Sequence, residues 1–335
     1  MTPIIDIIPE GFSGSVLVTQ NGATLFADGF GFADRPNQIK NTMDTKFQTA
    51  SGGKCFVAVG ILQLIEAGRL SLDTQIGDVL DFDLHQVDRT VTIRQLLNHT
   101  SGIPDYFDES IMTEYADLWV DFPNYRVRQS RDLLPLFIEN PMLYPAGEKF
   151  QYNNSGYVML GLVIECVTGQ PFDVYLAEHV FRHCQMHGTG YFELDRLPAK
   201  CANAYIYDQT TQTHYTNIFA VDAKGTGAGG AFTTVVDVEK FWQKLLSGAL
   251  VSQATLAEMF AVQSSDGDDF YGYGIWLKKT GEKAYHPFFQ GSDPGVSFIS
   301  RFDPQRGLRV HIVSNQGDDV WDLAANIEAL SAISP

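Results

Sequence analysis

Thr49-Ala50-Ser51-Gly52-Gly53-Lys54-Cys55-Phe56-Val57 places a serine and a lysine three residues apart at the mouth of an apolar run. The run continues through Ala58-Val59-Gly60-Ile61-Leu62-Gln63-Leu64-Ile65-Glu66-Ala67 and meets Gly68, a residue suited to the left-handed turn that closes a helix. Read as a helix, it sets the Ser51 and Lys54 side chains on one face, Ser51 at the N-terminus and Lys54 one turn in. Free backbone N–H groups and the helix dipole favour negative charge there, which is what an attacked carbonyl oxygen acquires in acyl transfer. S-x-x-K is common by chance, so the spacing alone makes Ser51 a candidate nucleophile and no more.

Outward from this helix the chain changes character twice. On its N-terminal side, Gly14-Ser15-Val16-Leu17-Val18-Thr19-Gln20 and Ala23-Thr24-Leu25-Phe26 flank Asn21-Gly22, a strong hairpin signal. On the C-terminal side, 271–277, 296–300 and 308–313 read as strands and 320–330 as a closing helix. Between them lie helical segments: a short one capped by Thr92, one over 131–139, one starting at Asn154 or Ser155 and ending at Gly169, and one after Pro171. The pattern predicts an α+β fold, one sheet assembled from both termini with a mainly helical domain inserted between them. The expected division is 1–50 with 221–335 for the sheet domain and 51–220 for the helical one.

Composition narrows the function classes. Of 335 residues, 44% are hydrophobic and 12% aromatic, enough for a sizeable core. The net charge of -17 argues against nucleic acid or an anionic membrane as the main partner. The first ten residues lack a basic, apolar leader, and no stretch approaches the ~20 apolar residues of a membrane span, so a cytoplasmic protein is expected. Four cysteines, two of them in apolar helical runs, suit a reducing compartment.

Tyr152-Asn153-Asn154 is the second candidate, a phenol and an amide just before a helix N-terminus. Serine needs a base to take its proton. Tyr152 could serve if the Lys54 ammonium stabilises its phenolate, and Lys54 could serve directly if burial lowers its own pKa; the residues alone leave both open. Asn154 would orient Lys54 or hydrogen-bond a substrate amide.

Together with Phe47-Gln48-Thr49-Ala50 before the serine, Ala67-Gly68-Arg69-Leu70-Ser71-Leu72-Asp73, 93–102, 145–157 and Tyr271-Gly272-Tyr273-Gly274, these stretches resemble the serine β-lactamase and penicillin-binding-protein-like family, nearest its class C and esterase branch. The likeness runs from about residue 14 to the end. It implies a β-lactamase/transpeptidase-like fold, an antiparallel sheet flanked by helices plus a helical domain with the site at their interface, and Ser51 as acylated nucleophile, Lys54 and Tyr152 as the proton-transfer pair and Asn154 on the substrate side. No cofactor and no metal are implied.

Members of that family carry Lys-Thr-Gly or His-x-Gly on the strand beside the nucleophile. Lys279-Thr280-Gly281 fits the letters but lies where a hairpin turn is expected. Phe289-Gln290-Gly291-Ser292-Asp293-Pro294-Gly295 is the better match, with Phe289 where the Lys or His belongs and Gln290 beside it on the substrate side. Ser51 and Ser292 N–H groups would then form the oxyanion hole, and Gly291 would permit close approach. Loss of that cation weakens the case for substrates held by a carboxylate, β-lactams included. A small neutral ester or amide is therefore the expected substrate. The alternatives are a β-lactamase or D-alanyl carboxypeptidase with an atypical third motif, and a non-catalytic binding or sensing protein.

Other constellations are weaker. Gly-x-Ser-x-Gly is absent, His99 belongs to a turn, and Asp266, Asp268 and Asp269 read as a solvated loop. His179, His183 and His187 would align only if their helix ran through all three.

Overall fold

Val16, Leu17 and Val18 are all buried, yet they belong to different apolar clusters. Val16 and Val18 pack with Ile299, Ile312 and Leu323, whereas Leu17 joins the cluster of Phe56, Trp242 and Phe298. Side chains alternate across a strand, so a strand buried throughout must be covered on both faces. In the computed structural model, which describes residues 3–331, this strand sits inside an eight-stranded antiparallel sheet. Residues 1–2 and 332–335 of the expected sheet domain lie outside the described residues.

The sheet order is Ala23–Phe30, Gly14–Gln20, Leu308–Ser314, Val296–Asp303, Tyr285–Asp293, Trp276–Lys279, Asp269–Tyr271, Ser264–Asp266. Strands from the two ends of the chain thus lie side by side, with Val16 opposite Ile312. Asn21 and Gly22 have φ of 50° and 84°, as the tight hairpin between the first two strands requires. Helix Val320–Ser331 covers one face, while Lys54–Glu66 and Val235–Leu246 pack toward the other. Every residue from Lys54 to Leu62 is buried, so this helix is a central element rather than an amphipathic surface one. Asn154–Thr168 lies against it, buried from Asn154 to Ile164. One apolar cluster crosses residues 50 and 220, joining Phe47, Phe56, Leu160 and Trp242.

Several local expectations change. The strand expected over 271–277 is a hairpin, Asp269–Tyr271 paired with Trp276–Lys279. Gly274 takes φ 72° and the turn presses on the Lys54 helix, where a Cβ on Gly274 would lie 2.1 Å from the Ala58 methyl. Ser264–Asp266 pairs in turn with Asp269–Tyr271, so the stretch read as a solvated loop is also a hairpin. The helix expected over 131–139 is a 3₁₀ segment, Ser130–Leu136, interrupted by Pro135, which has no N–H to give. Helix Phe172–Leu176 passes into a wide π turn, Ala177–Phe181, and stops, leaving His183 and His187 beyond it. Among the described residues no group of three His, Cys, Asp or Glu is arranged to hold a metal ion, and no helix is long and apolar enough to cross a membrane.

Candidate active site

The nucleophile position is clamped by backbone on both sides. Thr49 donates to the Ala231 carbonyl through both its N–H (2.9 Å) and its Oγ1 (2.8 Å), and Gly230 N–H donates to Ala50 O at 2.9 Å. Ala50 is held at φ 46°, a conformation an alanine adopts only under such constraint. A Cβ on Gly229 would lie 2.5 Å from Ala50 O, and one on Gly291 would lie 2.2 Å from Thr49 O and 2.6 Å from Ser51 N. Two glycines therefore let two other segments touch the turn that carries Ser51, a 3₁₀ turn over Ala50–Gly53 running into Lys54–Glu66.

Lys54 is 2% exposed, and its Nζ lies 2.8 Å from Ser51 Oγ, 2.8 Å from Asn154 Oδ1 and 2.5 Å from the Ala228 carbonyl. Burial pushes its pKa down to about 8, against the opposing pull of the Glu109, Asp105, Asp293 and Asp222 carboxylates. A neutral amine has two N–H donors and one lone pair. Asn154 Oδ1 and Ala228 O accept the two donors, which leaves the lone pair for the Ser51 hydroxyl proton. Asn154 is itself fixed: its Nδ2 donates to Phe107 O at 3.0 Å and its backbone N–H to Asp105 Oδ2 at 2.8 Å. Asn153 is the actual cap, its Oδ1 accepting from Gly156 N–H at 2.7 Å.

Tyr152 presents a different picture from a phenolate base. Burial, with Tyr271 and Glu109 adding to it, pushes its pKa far up. Lys54 Nζ stands 4.9 Å from the centre of its ring face, and the ring stacks on Trp276 at 5.5 Å and 17°. The phenol is therefore neutral, with an O–H to donate and oxygen lone pairs to accept, rather than a resting phenolate. His99 lies 4.4 Å from the Tyr152 ring, accepts from Asn153 N–H through Nδ1, and is held neutral by burial and by Lys54.

A cavity of about 1080 Å³ opens over Ser51 and is lined also by Tyr152, Asn154, Gln290, Gly291 and Ser292. From the aromatic segment, Tyr106, Phe107 and Tyr115 reach it, while Trp119 turns away to donate to Ala220 O at 3.0 Å. Phe289 does not line it. Its ring is 2% exposed, packed among Phe298 (5.4 Å), Trp242 (5.7 Å), Phe241 (5.9 Å) and Phe56 (6.0 Å). Phe289 shares the inward face of its strand with Gly291, and with no charged head group it completes the core instead of the site. Gln290 faces the other way, its Oε1 accepting from Trp321 Nε1 at 2.6 Å. Lys279-Thr280-Gly281 closes a strand connection outside the cavity.

The sequence reading passed over the Ala228 carbonyl and the Asp222 and Asp293 carboxylates. The glycine-dense run Gly225–Gly230 was the available signal, since such runs mark close backbone approach as well as loops. Nothing in the local sequence marks Asp222 as lining the cavity over Ser51.

An antiparallel sheet assembled from both ends of the chain, open at its edges and with helices on both faces, defines the β-lactamase/transpeptidase-like fold. The chain belongs to the Beta-lactamase family, whose match runs over residues 10–333. It is 28% identical over 306 residues to "Putative penicillin-binding protein PbpX" of Bacillus subtilis, covering 91% of this chain and 71% of that one. Among solved structures it resembles a penicillin binding protein from Bacillus halodurans, with 41% identity, a TM-score of 0.91 and coverage of 95% and 97%. A D-amino acid amidase from Ochrobactrum anthropi SV3 shares the fold at 22% identity and a TM-score of 0.78, with coverage of 97% and 95%.

Proposed function

We propose that the protein is a serine hydrolase acting through an acyl-enzyme on a small ester or amide. The observation that carries this reading is the 2.8 Å contact between Ser51 Oγ and a buried Lys54 whose other two contacts are acceptors. In acylation Ser51 Oγ bonds to the substrate carbonyl carbon as its proton passes to Lys54 Nζ. The Ser51 and Ser292 N–H groups take the oxyanion, with Gly291 keeping the strand close. The bond to the leaving group then breaks, and the proton held on Lys54 reaches the departing oxygen or nitrogen through Tyr152. Water attacks the acyl-enzyme by the reverse path, giving an acid and restoring Ser51.

The aromatic filling around Phe289 supports substrates without a carboxylate anchor at that position, hence an esterase or amidase rather than a β-lactamase. That the fold also serves a protein named D-amino acid amidase supports amide as well as ester chemistry. Four unpaired thiols support a reducing, cytoplasmic setting.

Incubation with a fluorophosphonate followed by intact-mass measurement tests the reading. One adduct is expected on the wild type and none on Ser51→Ala. An unlabelled wild type, or an adduct that survives Ser51→Ala, would overturn it.

A further inference from the structure

We infer that His99 is a positioning residue for Tyr152: it fastens the backbone on both sides of the tyrosine, so that the phenol stays where it can hand the Lys54 proton to the leaving group. This rests on the acyl-enzyme reading above and adds a residue to its leaving-group step.

The His99 carbonyl accepts from Gln151 N–H at 3.0 Å, and its Nδ1 accepts from Asn153 N–H at 3.1 Å. The residues before and after Tyr152 are thus tied to the same histidine. Its ring centre lies 4.4 Å from that of Tyr152, and Trp276 stacks on the same tyrosine. Asn153 is held further by its own side chain, whose Nδ2 donates to Ile103 O at 2.8 Å while its Oδ1 caps the next helix at Gly156 N–H. Displacing a reacting group by about 1 Å can cost a hundredfold in rate, so such fastening bears directly on proton transfer.

His99 occupies this place at a cost. It follows helix Ile93–Leu97 with φ 59°, in the left-handed region where glycine is the cheapest residue. The residue is 1% exposed, and its Nε2 finds no hydrogen-bond partner among the described residues. With Nδ1 accepting, Nε2 carries the hydrogen, and an unpaired buried donor is destabilising. Glycine would remove both penalties and an aliphatic side chain the second, but neither offers Asn153 N–H an acceptor. What the imidazole supplies is that acceptor. Nδ1 can accept only in a neutral ring, and burial, with Lys54 adding to it, keeps the ring neutral.

A leaving group that departs as a stable anion needs little help from Tyr152, whereas a basic one needs its proton. Displacing the phenol therefore discriminates among esters of one acid, which a general loss of structure does not.

The test follows kcat/KM, which reports the steps through acylation, for 4-nitrophenyl, phenyl and trifluoroethyl acetate, in order of increasingly basic leaving groups. In His99→Leu the value for the trifluoroethyl ester should fall about ten- to a hundredfold further than that for the nitrophenyl ester. Tyr152→Phe should show the same pattern, and the double variant should be no more selective than Tyr152→Phe alone. His99→Asn should recover the wild-type pattern, because its carbonyl oxygen takes the place of Nδ1 and asparagine adopts positive φ readily. His99→Gln, whose oxygen lies one bond farther out, should not. Gln38 and Gln212 each hold φ 54° in this chain, so such backbone admits glutamine. Losses in His99→Leu and His99→Gln that do not grow with leaving-group basicity, or equal recovery by Gln and Asn, overturn the inference and leave the acyl-enzyme reading standing. Absence of Ser51-dependent turnover in the wild type overturns both. Should His99→Leu fail to fold, His99→Gln against His99→Asn decides by the same criterion.

Discussion

Lys54 Nζ donates to Asn154 Oδ1 at 2.8 Å, joining the starts of two buried helices 100 residues apart. The contact holds the base that faces Ser51 and explains why the first residue of a helix far along the chain belongs to the site.

Asn154→Ala should therefore slow acylation. It leaves one buried N–H of Lys54 without an acceptor, at a cost of ~1–3 kcal/mol, or roughly 5- to 150-fold in rate. Stopped-flow labelling with a fluorophosphonate measures this directly. Asn154→Asp should instead move the pH limb upward, because a carboxylate beside Nζ favours the ammonium form; rates unchanged in both variants would remove Asn154 from the machinery.

The pH profile of acylation should rise through about 8, the pKa to which burial pushes Lys54. Below that value Lys54 is an ammonium ion and cannot take the Ser51 proton; above it the free lone pair can. Tyr152 adds no falling limb at that point, since its own pKa is pushed far up. Glu109 is the foremost carboxylate holding the Lys54 pKa up, so Glu109→Gln should shift the limb to lower pH. An upward shift in that variant would contradict the charge assignment.

Phe289→Lys should destabilise rather than restore a carboxylate site. The ring is enclosed by Phe56, Phe241, Trp242 and Phe298, and losing a buried phenylalanine alone costs ~3–5 kcal/mol before any charge is buried. Thermal denaturation should show a large fall in Tm, and nitrocefin hydrolysis should not appear. A variant with wild-type Tm would mean that the position can open toward the cavity.

Ser300, His311 and Glu239 form a second serine–histidine–carboxylate chain, with Ser300 Oγ 2.8 Å from His311 Nδ1 and His311 Nε2 3.0 Å from Glu239 Oε2. Ser300 and His311 are fully buried, and Trp242 Nε1 donates to Ser300 Oγ at 2.7 Å, so no substrate reaches them. Ser300→Ala should leave fluorophosphonate labelling at Ser51 intact. Glu239→Gln should destabilise by ~3–5 kcal/mol, because Arg309 keeps its buried charge without a full partner. The Glu239 pKa lies far below the ordinary carboxylate value, chiefly through His311 and Arg309 overcoming burial. Its stabilisation is thus complete above the unfolded-state pKa near 4.5 and is lost as pH falls below it, which acid-unfolding curves of wild type and variant can compare.

Local sequence determined the elements whose causes are local. The Asn21-Gly22 hairpin follows from two residues that accept positive φ, the Thr92 cap from its hydroxyl, and the shared face of Ser51 and Lys54 from helical spacing. Strand-like runs at both ends of the chain extended this to one sheet built from both termini, which the strand order displays. Where the period was ambiguous, the reading failed: alternating Tyr and Gly over 271–274 looks the same in a strand as in a hairpin pressed against Ala58. The rest was decided by tertiary structure. Whether Tyr152 or Lys54 can be the base depends on burial and on which side of the ring the amine occupies, and neither is written in a tetrapeptide. The fate of Phe289 depended on four aromatic rings from three other segments, and the charge of the cavity on Asp222 and Asp293, 71 positions apart in the chain (293 − 222). Ser51 and Lys54 are neighbours by helical geometry alone; what they face is set by chain segments that only folding brings across the cavity.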